Sequence, residues 1–335
     1  MVKLSVIIPN YNRASLIGET IQSILSQTRP PDEIIVVDDG STDESRDAIR
    51  EFVPRVRLIT QENKGPATAR NRGVAEATGD FIQFLDSDDI CFRNKFEEQL
   101  RELIRTGADM AYSPYVSCSL LNGVAQLRGP VMQARPLPNY CSAARYFAKG
   151  WGIYLQACLF RRSLVLKAGP FHEKLMPNED YEFLFRVLLA RPTMVHVAST
   201  GFIYRLHTDG QLSFSSSGSA MRAKDYVNYV CFVREHLREN RTQFSWFDRA
   251  RWWVEDIAAQ RALKELSRGE QQSADWREAL RDAPMLWKKA SWIVWQASRK
   301  LHGRMHRSYF GESHLNRGIG ELILELGYEP HESPI

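Results

Sequence analysis

The chain has few cysteines. Five occur in 335 residues, Cys91, Cys118, Cys141, Cys158 and Cys231, and none belongs to a CxxC pair. An odd, scattered set argues against a disulfide framework or a clustered zinc site and suits a reducing compartment. Long apolar runs are also missing, and no stretch approaches the roughly 18 residues that cross a bilayer. The opening MVKLSVIIPNYN has too short an apolar run for a signal peptide and carries no cleavage pattern, which predicts a cytoplasmic protein. Neither GxGxxG nor GxxxxGK[ST] follows the first apolar run, so a dinucleotide site and a P-loop are disfavoured. No nucleic-acid-binding motif is present, and a net charge of +4 is too slight to argue for such a partner. With 44% hydrophobic and 25% charged residues, the composition fits an ordinary globular protein, and 335 residues suit one large α/β domain plus an appendage or two modest domains.

What is present alternates. A β-branched run at 4–8, stopped by Pro9, predicts a first buried strand. Ser15 is placed to cap a helix over 15–26, whose Leu16, Ile17, Ile21, Ile24 and Leu25 share one face. Apolar strands are expected at 33–37 and 56–59, with a helix between them opened by Asp43. A loop at 61–66 leads to a helix over 67–77 that displays Arg70 and Arg72, and a further strand follows Gly79. Strands that are apolar throughout, alternating with helices, specify a parallel, doubly wound sheet. Beyond it, 108–116 and 124–127 read as strands joined by an Asn122-Gly123 turn, 151–162 has strand-like alternation, 181–189 a helix and 201–204 a strand.

Two of the early strands end in acids, Asp38-Asp39 and Asp86-Ser87-Asp88-Asp89. In an open α/β sheet both ends lie on the ligand-binding edge. Carboxylates packed this closely repel, and a hard cation, Mg²⁺ or Mn²⁺, bridging them to phosphate oxygens would relieve the repulsion. The plainer reading is an acidic turn in which Asp89 caps a helix over 90–103. Around the same edge Tyr11 can stack on a base, Arg13 and Arg70 can neutralise phosphate, and Lys64-Gly65 allows a close, positive backbone approach. A nucleotide diphosphate is the ligand these residues suit.

Five ordered motifs, LSVIIPNYNRA, DEIIVVDDGSTD, NKGPATARNRG, GDFIQFLDSDD and NEDYEFLFR, resemble those of family 2 glycosyltransferases over residues 4–210. The resemblance implies the GT-A fold: a Rossmann-like, mostly parallel α/β sheet flanked by helices, here covering 1–218 with a helical extension over 219–335. It also implies an inverting transferase that uses a nucleotide-diphosphate sugar, commonly a UDP-sugar, with Mn²⁺ or Mg²⁺. By that similarity Pro9, Tyr11, Arg13 and Asp39 hold base and ribose, with Asp39 accepting from the base. Arg70 lies near the diphosphate, Asp86 contacts ribose or sugar, and Asp88 ligates the metal together with His207. Asp180 is the general base and Glu179 orients the acceptor. A helix N-terminus there is expected to hold Asp180 ionised at neutral pH. Acceptors in such a family are often envelope glycans or lipid-linked sugars.

Trp151, Tyr154 and Gln156 are candidates to face that acceptor, although buried packing explains aromatics there as well. The Ser- and Gly-rich stretch 208–219 is expected to close over the donor. From Ala220 the pattern is helical and rich in tryptophan. No acid lies between Asp282 and Glu312, while Lys288, Lys289, Arg299, Lys300, Arg304 and Arg307 accumulate beside an apolar stripe. A basic amphipathic segment at 285–307 predicts contact with an anionic membrane surface, peripheral at its inner face; packing on the catalytic domain is the alternative. Two rival functions stand beside the transferase. One is a nucleotidyltransferase, which wants a glycine-rich basic loop where PNYNRAS stands. The other is a catalytically silent sugar-nucleotide binder, which would have no need to keep the acids.

Overall fold

Leu4–Asn10 forms β1, and all seven of its residues are buried. Such a strand needs cover on both faces, and the period of two delivers it. Leu4, Val6 and Ile8 enter one apolar core with Ile17, Ile21 and Ile24, while Ile7 enters the opposite core with Ala67 and Ala69. The computed structural model describes residues 2–121, 124–128, 131–137, 142–148, 153–176, 178–207, 219–244, 246, 249 and 329–330.

After β1 come α1 (Ile17–Leu25), β2 (Glu33–Asp38), α2 (Ser45–Arg50), β3 (Arg57–Thr60), α3 (Pro66–Glu76) and β4 (Phe81–Phe84). This is the expected alternation. Then follow β5 (Ile90–Cys91), α4 (Lys95–Thr106), β6 (Met110–Tyr112), β7 (Tyr115–Leu121), β8 (Val124–Leu127) and α5 (Ala143–Ala148). A 3₁₀ turn at Leu155–Ala157 runs into β9 (Cys158–Arg161), α6 (Arg162–Ala168), α7 (Glu179–Leu189), β10 (Met194–His196) and β11 (Phe202–Leu206). α8 (Ser219–Glu239) and β12 (Glu329–Pro330) complete the described elements.

Among the described residues the main sheet has the order β10-β6-β9-β4-β1-β2-β3, and β9 alone runs antiparallel within it. β2 and β4 therefore flank β1, and their carboxyl ends open on the same edge. A second sheet, β12-β8-β7-β11-β5, stands beside that edge. α3 lies very close to β1: a Cβ on Gly73 would stand 2.3 Å from Ile7 Cγ2.

Several local expectations need correction. Ser15 does not cap α1. The helix begins after Leu16 without a side-chain cap, and the Arg13 carbonyl takes the Leu16 and Ile17 amides. β1 continues through Pro9, because its pairing with β4 ends at Ile7↔Phe84 and the missing donor falls beyond that register. Asp89 caps no helix, since Ile90–Cys91 pairs with β11 and α4 starts only at Lys95. The strand expected over 108–116 is two strands in two sheets, divided at Ser113-Pro114, where proline cannot extend the ladder. The 151–162 stretch contributes the 3₁₀ turn and β9.

Val230, Val233, Leu237 and Phe244 join the core that holds Phe183, Phe185 and Val187 of α7. No described helix is long and apolar enough to cross a membrane. Trp151, the Asn122-Gly123 turn, residues 208–218 of the expected loop and the basic segment 285–307 lie outside the described residues.

Candidate active site

The first strand-end acids fix loops. Asp38 is fully buried, and its carboxylate accepts from Asn10 Nδ2 (2.9 Å), the Ser41 amide (3.1 Å) and Arg46 Nε (2.7 Å). Burial pushes its pKa up, but Ser41, Arg46 and Asn10 outweigh that and hold it below the ordinary value. Asp39 accepts from Gln61 Nε2 (2.8 Å), the Lys64 amide (2.9 Å) and the Gly65 amide (2.7 Å). It thus pins the turn that opens α3, where Gly65 adopts φ 90°, a conformation that favours glycine. Pro9 is buried in β1, whereas Tyr11 is 43% exposed on the same edge and open to a stacking partner. The Lys64 ammonium is solvent-exposed.

The second group is where the chemistry gathers. Single carboxylate oxygens of Asp86, Asp88 and Asp89 lie within 4.8 Å of one another, which is the donor set of a hard cation. The repulsion is met in part by side chains. Arg13 Nε and His207 Nε2 both stand 3.0 Å from Asp88 Oδ2. Burial raises the Asp88 pKa, but His207 and Arg13 together outweigh it and leave the carboxyl below the ordinary range. Arg13, Arg70 and His207 thus supply part of the relief expected from a bound cation. Asp89 differs. Its Oδ1 accepts from the Arg205 amide at 3.0 Å, its buried Oδ2 has no partner among the described residues, and burial with the charges of Asp88 and Asp86 lifts its pKa well above the ordinary value.

Asp86 connects this turn to the rest of the site. Its Oδ1 accepts from Arg70 Nη2 at 2.8 Å, and its Oδ2 accepts from Gln156 Nε2. Arg70 Nη1 in turn donates to Glu179 Oε1 at 2.6 Å. Arg70 is 4% exposed and Glu179 is 5% exposed, so this is an internal clamp. Arg70 is therefore not an open phosphate ligand, as expected from sequence, but a strut between β4 and α7. Gln156, expected to face an acceptor, is buried and turned toward Asp86 instead. Glu179, expected to orient the acceptor, is likewise turned toward Arg70.

Asp180, the second residue of α7, stands beside this clamp, half-buried, with Oδ1 accepting from the Tyr181 amide at 2.8 Å. Burial first, then the charge of Glu179, pushes its pKa up to about 7, against the pull of Arg70. The helix terminus does not hold it fully ionised at neutral pH, contrary to the expectation. A carboxyl titrating near neutrality is suited to general-base work. Tyr154, Tyr181 and Tyr204, all half-buried, stand on the same side, with the Tyr154 ring centroid 6.4 Å from that of Tyr181 and 5.3 Å from that of Tyr204. Arg186 serves α7 itself, bonding Glu182 and the Ala168 and Pro170 carbonyls.

Sequence reasoning did not find the two links that unify the site, Arg70 to Glu179 and Gln156 to Asp86. They join residues 109 and 70 positions apart, and no local pattern encodes them.

Known proteins resemble this chain. The family profile described as "Glycosyl transferase family 2" matches residues 5–166. An enzyme of Escherichia coli named UDP-Glc:alpha-D-GlcNAc-diphosphoundecaprenol beta-1,3-glucosyltransferase WfgD is 32% identical over 216 residues, covering 64% of this chain and 80% of that protein. An uncharacterized glycosyltransferase of Rickettsia felis is 42% identical over 115 residues, which is 34% of this chain and 19% of that longer protein. Among solved structures, residues 1–349 of Staphylococcus aureus TarS in complex with UDP align with a TM-score of 0.56 at 19% identity, covering 80% of this chain and 92% of that one. That likeness establishes the fold, which is the α/β type expected, with a mostly parallel sheet flanked by helices.

Proposed function

The chain belongs to glycosyl transferase family 2, and we propose that it moves a sugar from a nucleotide-diphosphate donor, a UDP-sugar, to a hydroxyl of a glycan or lipid-linked acceptor, with inversion. One observation carries the reading: Arg70 bonds Asp86 of the strand-end acids on one side and Glu179 of α7 on the other, so one guanidinium joins the strand-end acids to the helix start that carries Asp180.

In the proposed reaction the acceptor oxygen forms its bond to the anomeric carbon as the bond from that carbon to phosphate breaks. Asp180 takes the hydroxyl proton, and the nucleoside diphosphate leaves with the electron pair. Tyr11 stacks on the base, Pro9 and Asp39 shape the pocket floor, and Lys64 stands at the diphosphate. The aromatic faces of Tyr154, Tyr181 and Tyr204 flank the acceptor beside Asp180. The oxygen-rich cluster, with an unpartnered buried oxygen on Asp89, fits Mn²⁺ or Mg²⁺, which Asp88 and His207 would hold with Asp86 close by. Such an ion supplies positive charge against the departing diphosphate.

WfgD is named for a lipid-diphosphate-linked acceptor, which favours a cell-envelope glycan here and a cytoplasmic protein peripheral to the inner membrane face. The basic stripe at 285–307 suits that location. Release of the full chain from phosphatidylglycerol vesicles on deleting 285–307 is the expected result, and a wild-type chain that ignores such vesicles ends the membrane assignment. The donor is tested by thermal shift and nucleotide release across a panel of nucleotide sugars with Mn²⁺. Stabilisation by UDP-sugars alone supports the reading; indifference to every nucleotide sugar overturns it.

A further inference from the structure

One lysine lies where no charge is expected. Lys95, the first residue of α4, is fully buried beneath the main sheet, and among the described residues it has no ion-pair partner. Burial pushes its ammonium down to about 8. A position needing only packing is filled at lower desolvation cost by Leu or Met.

Its contacts say what it does. Nζ donates to Gln83 Oε1 at 2.5 Å and to Gln99 Oε1 at 2.8 Å. A lysine nitrogen is donor-only, so both glutamines must turn their oxygens toward it and their NH₂ groups away. Gln83 Nε2 then donates to the carbonyl of Gln156 at 3.0 Å, and Gln99 Nε2 to that of Ala157 at 2.8 Å. Ser113 adds its amide at 3.2 Å to the same Ala157 oxygen. Two consecutive carbonyls of the 3₁₀ turn are thereby held from below, and the side chain of that turn, Gln156, donates to Asp86. Lys95 is 0% exposed, and among the described residues its ammonium hydrogen-bonds these two glutamines.

We propose that Lys95 is a positioning residue for the donor site, which by orienting the Gln83 and Gln99 amides fixes the Gln156 turn and, through it, the Asp86 carboxylate. A single core charge then sets the geometry of an acid 9 positions earlier in the chain through a turn 61 positions later. This rests on the nucleotide-sugar reading of the site.

The test is a double-mutant cycle between Lys95→Met and Gln156→Ala. UDP with MnCl₂ is the probe, titrated calorimetrically into the full chain, and Tm is recorded for each variant. Because Lys95 acts only through Gln156, each single variant is expected to weaken UDP by about tenfold and the pair by the same about tenfold, since residues in one network do not add. Independent losses that multiply to about a hundredfold, or a Lys95→Met enzyme with undiminished UDP affinity, overturn the proposal. Should Lys95→Met fail to fold, Gln99→Met, which leaves the lysine in place, carries the same cycle with the same outcomes. A wild-type chain that ignores UDP and Mn²⁺ overturns the nucleotide reading and this inference with it. A wild type that binds while the cycle is additive overturns this inference alone.

Discussion

Arg70 Nη1 stands 2.6 Å from Glu179 Oε1, and this contact joins the helix after β3 to the helix that carries Asp180. Both groups are out of water, and the second nitrogen of the guanidinium is bonded to Asp86. Removing the cation strands two carboxylates at once. Arg70→Met is expected to cost about 3–5 kcal/mol in urea unfolding, the usual penalty of breaking a buried pair from one side. Arg70→Lys recovers only part, since an ammonium cannot span both acids as a planar fork does. Pairing Arg70→Met with Glu179→Gln should restore stability relative to Arg70→Met alone. An additive double variant means that the clamp is not what holds these acids.

Asp180 sets activity against stability. Its ordinary value is 3.8, and burial with the Glu179 charge raises it to about 7 in the folded protein. Between those values the unfolded chain ionises while the folded one keeps its proton, so stability falls as pH rises through this window. Asp180→Asn has no proton to lose. Its Tm advantage over wild type is expected to be absent near pH 4, to grow up to about pH 7 and to level off above. Transfer, in contrast, needs the ionised form: wild-type turnover should rise through about pH 7, and the variant should lose turnover while still binding UDP. A variant with normal turnover removes Asp180 as the base.

The sheet was legible because its signals are local. The apolar run of β1, the acids closing β2 and β4, and the alternation with α1, α2 and α3 are all read within a dozen residues. The site was legible as an inventory and not as a network. Asp88 with His207 came from motifs, and they do face each other at 3.0 Å. Arg70, Gln156 and Glu179 read as ligand-binding groups because sequence shows a residue's type and not its partner. In the fold these groups satisfy one another, since buried polar atoms left unpaired are costly. Asp180 was misjudged for the same reason: the helix terminus is visible in sequence, whereas burial beside Glu179 is not. Lys95 carries no local signal of its role, which depends on Gln83 of β4 and, through Gln99, on the 3₁₀ turn.

Gly73 is a packing requirement of the fold. In the middle of α3 its replacement by Ala gains about 1 kcal/mol of helix propensity. The new Cβ, however, would stand 2.3 Å from Ile7 Cγ2 in the central strand. Overpacking of about 1–3 kcal/mol outweighs the gain, so Gly73→Ala is expected to be less stable in denaturant titration. In an Ile7→Ala background, which lacks the clashing Cγ2, the further loss caused by Gly73→Ala should shrink. A Gly73→Ala protein more stable than wild type means that α3 can lift from β1 freely.

Asp88 Oδ2 is the point on which Arg13 and His207 converge, from the loop after β1 and the end of β11. The carboxyl is held below its ordinary value by those two neighbours, so it is ionised at neutral pH. Asp88→Asn keeps the shape and removes the charge. Without added metal, Arg13 and His207 lose their shared anion, and a fall of about 1–3 kcal/mol in unfolding free energy is expected, as for hydrogen bonds to charged groups. With Mn²⁺ present, the wild-type chain should bind UDP more tightly and melt higher, and the variant should do neither. Retention of the full Mn²⁺ response by Asp88→Asn removes Asp88 from the metal site, leaving the stability loss to measure its role as the anchor for Arg13 and His207.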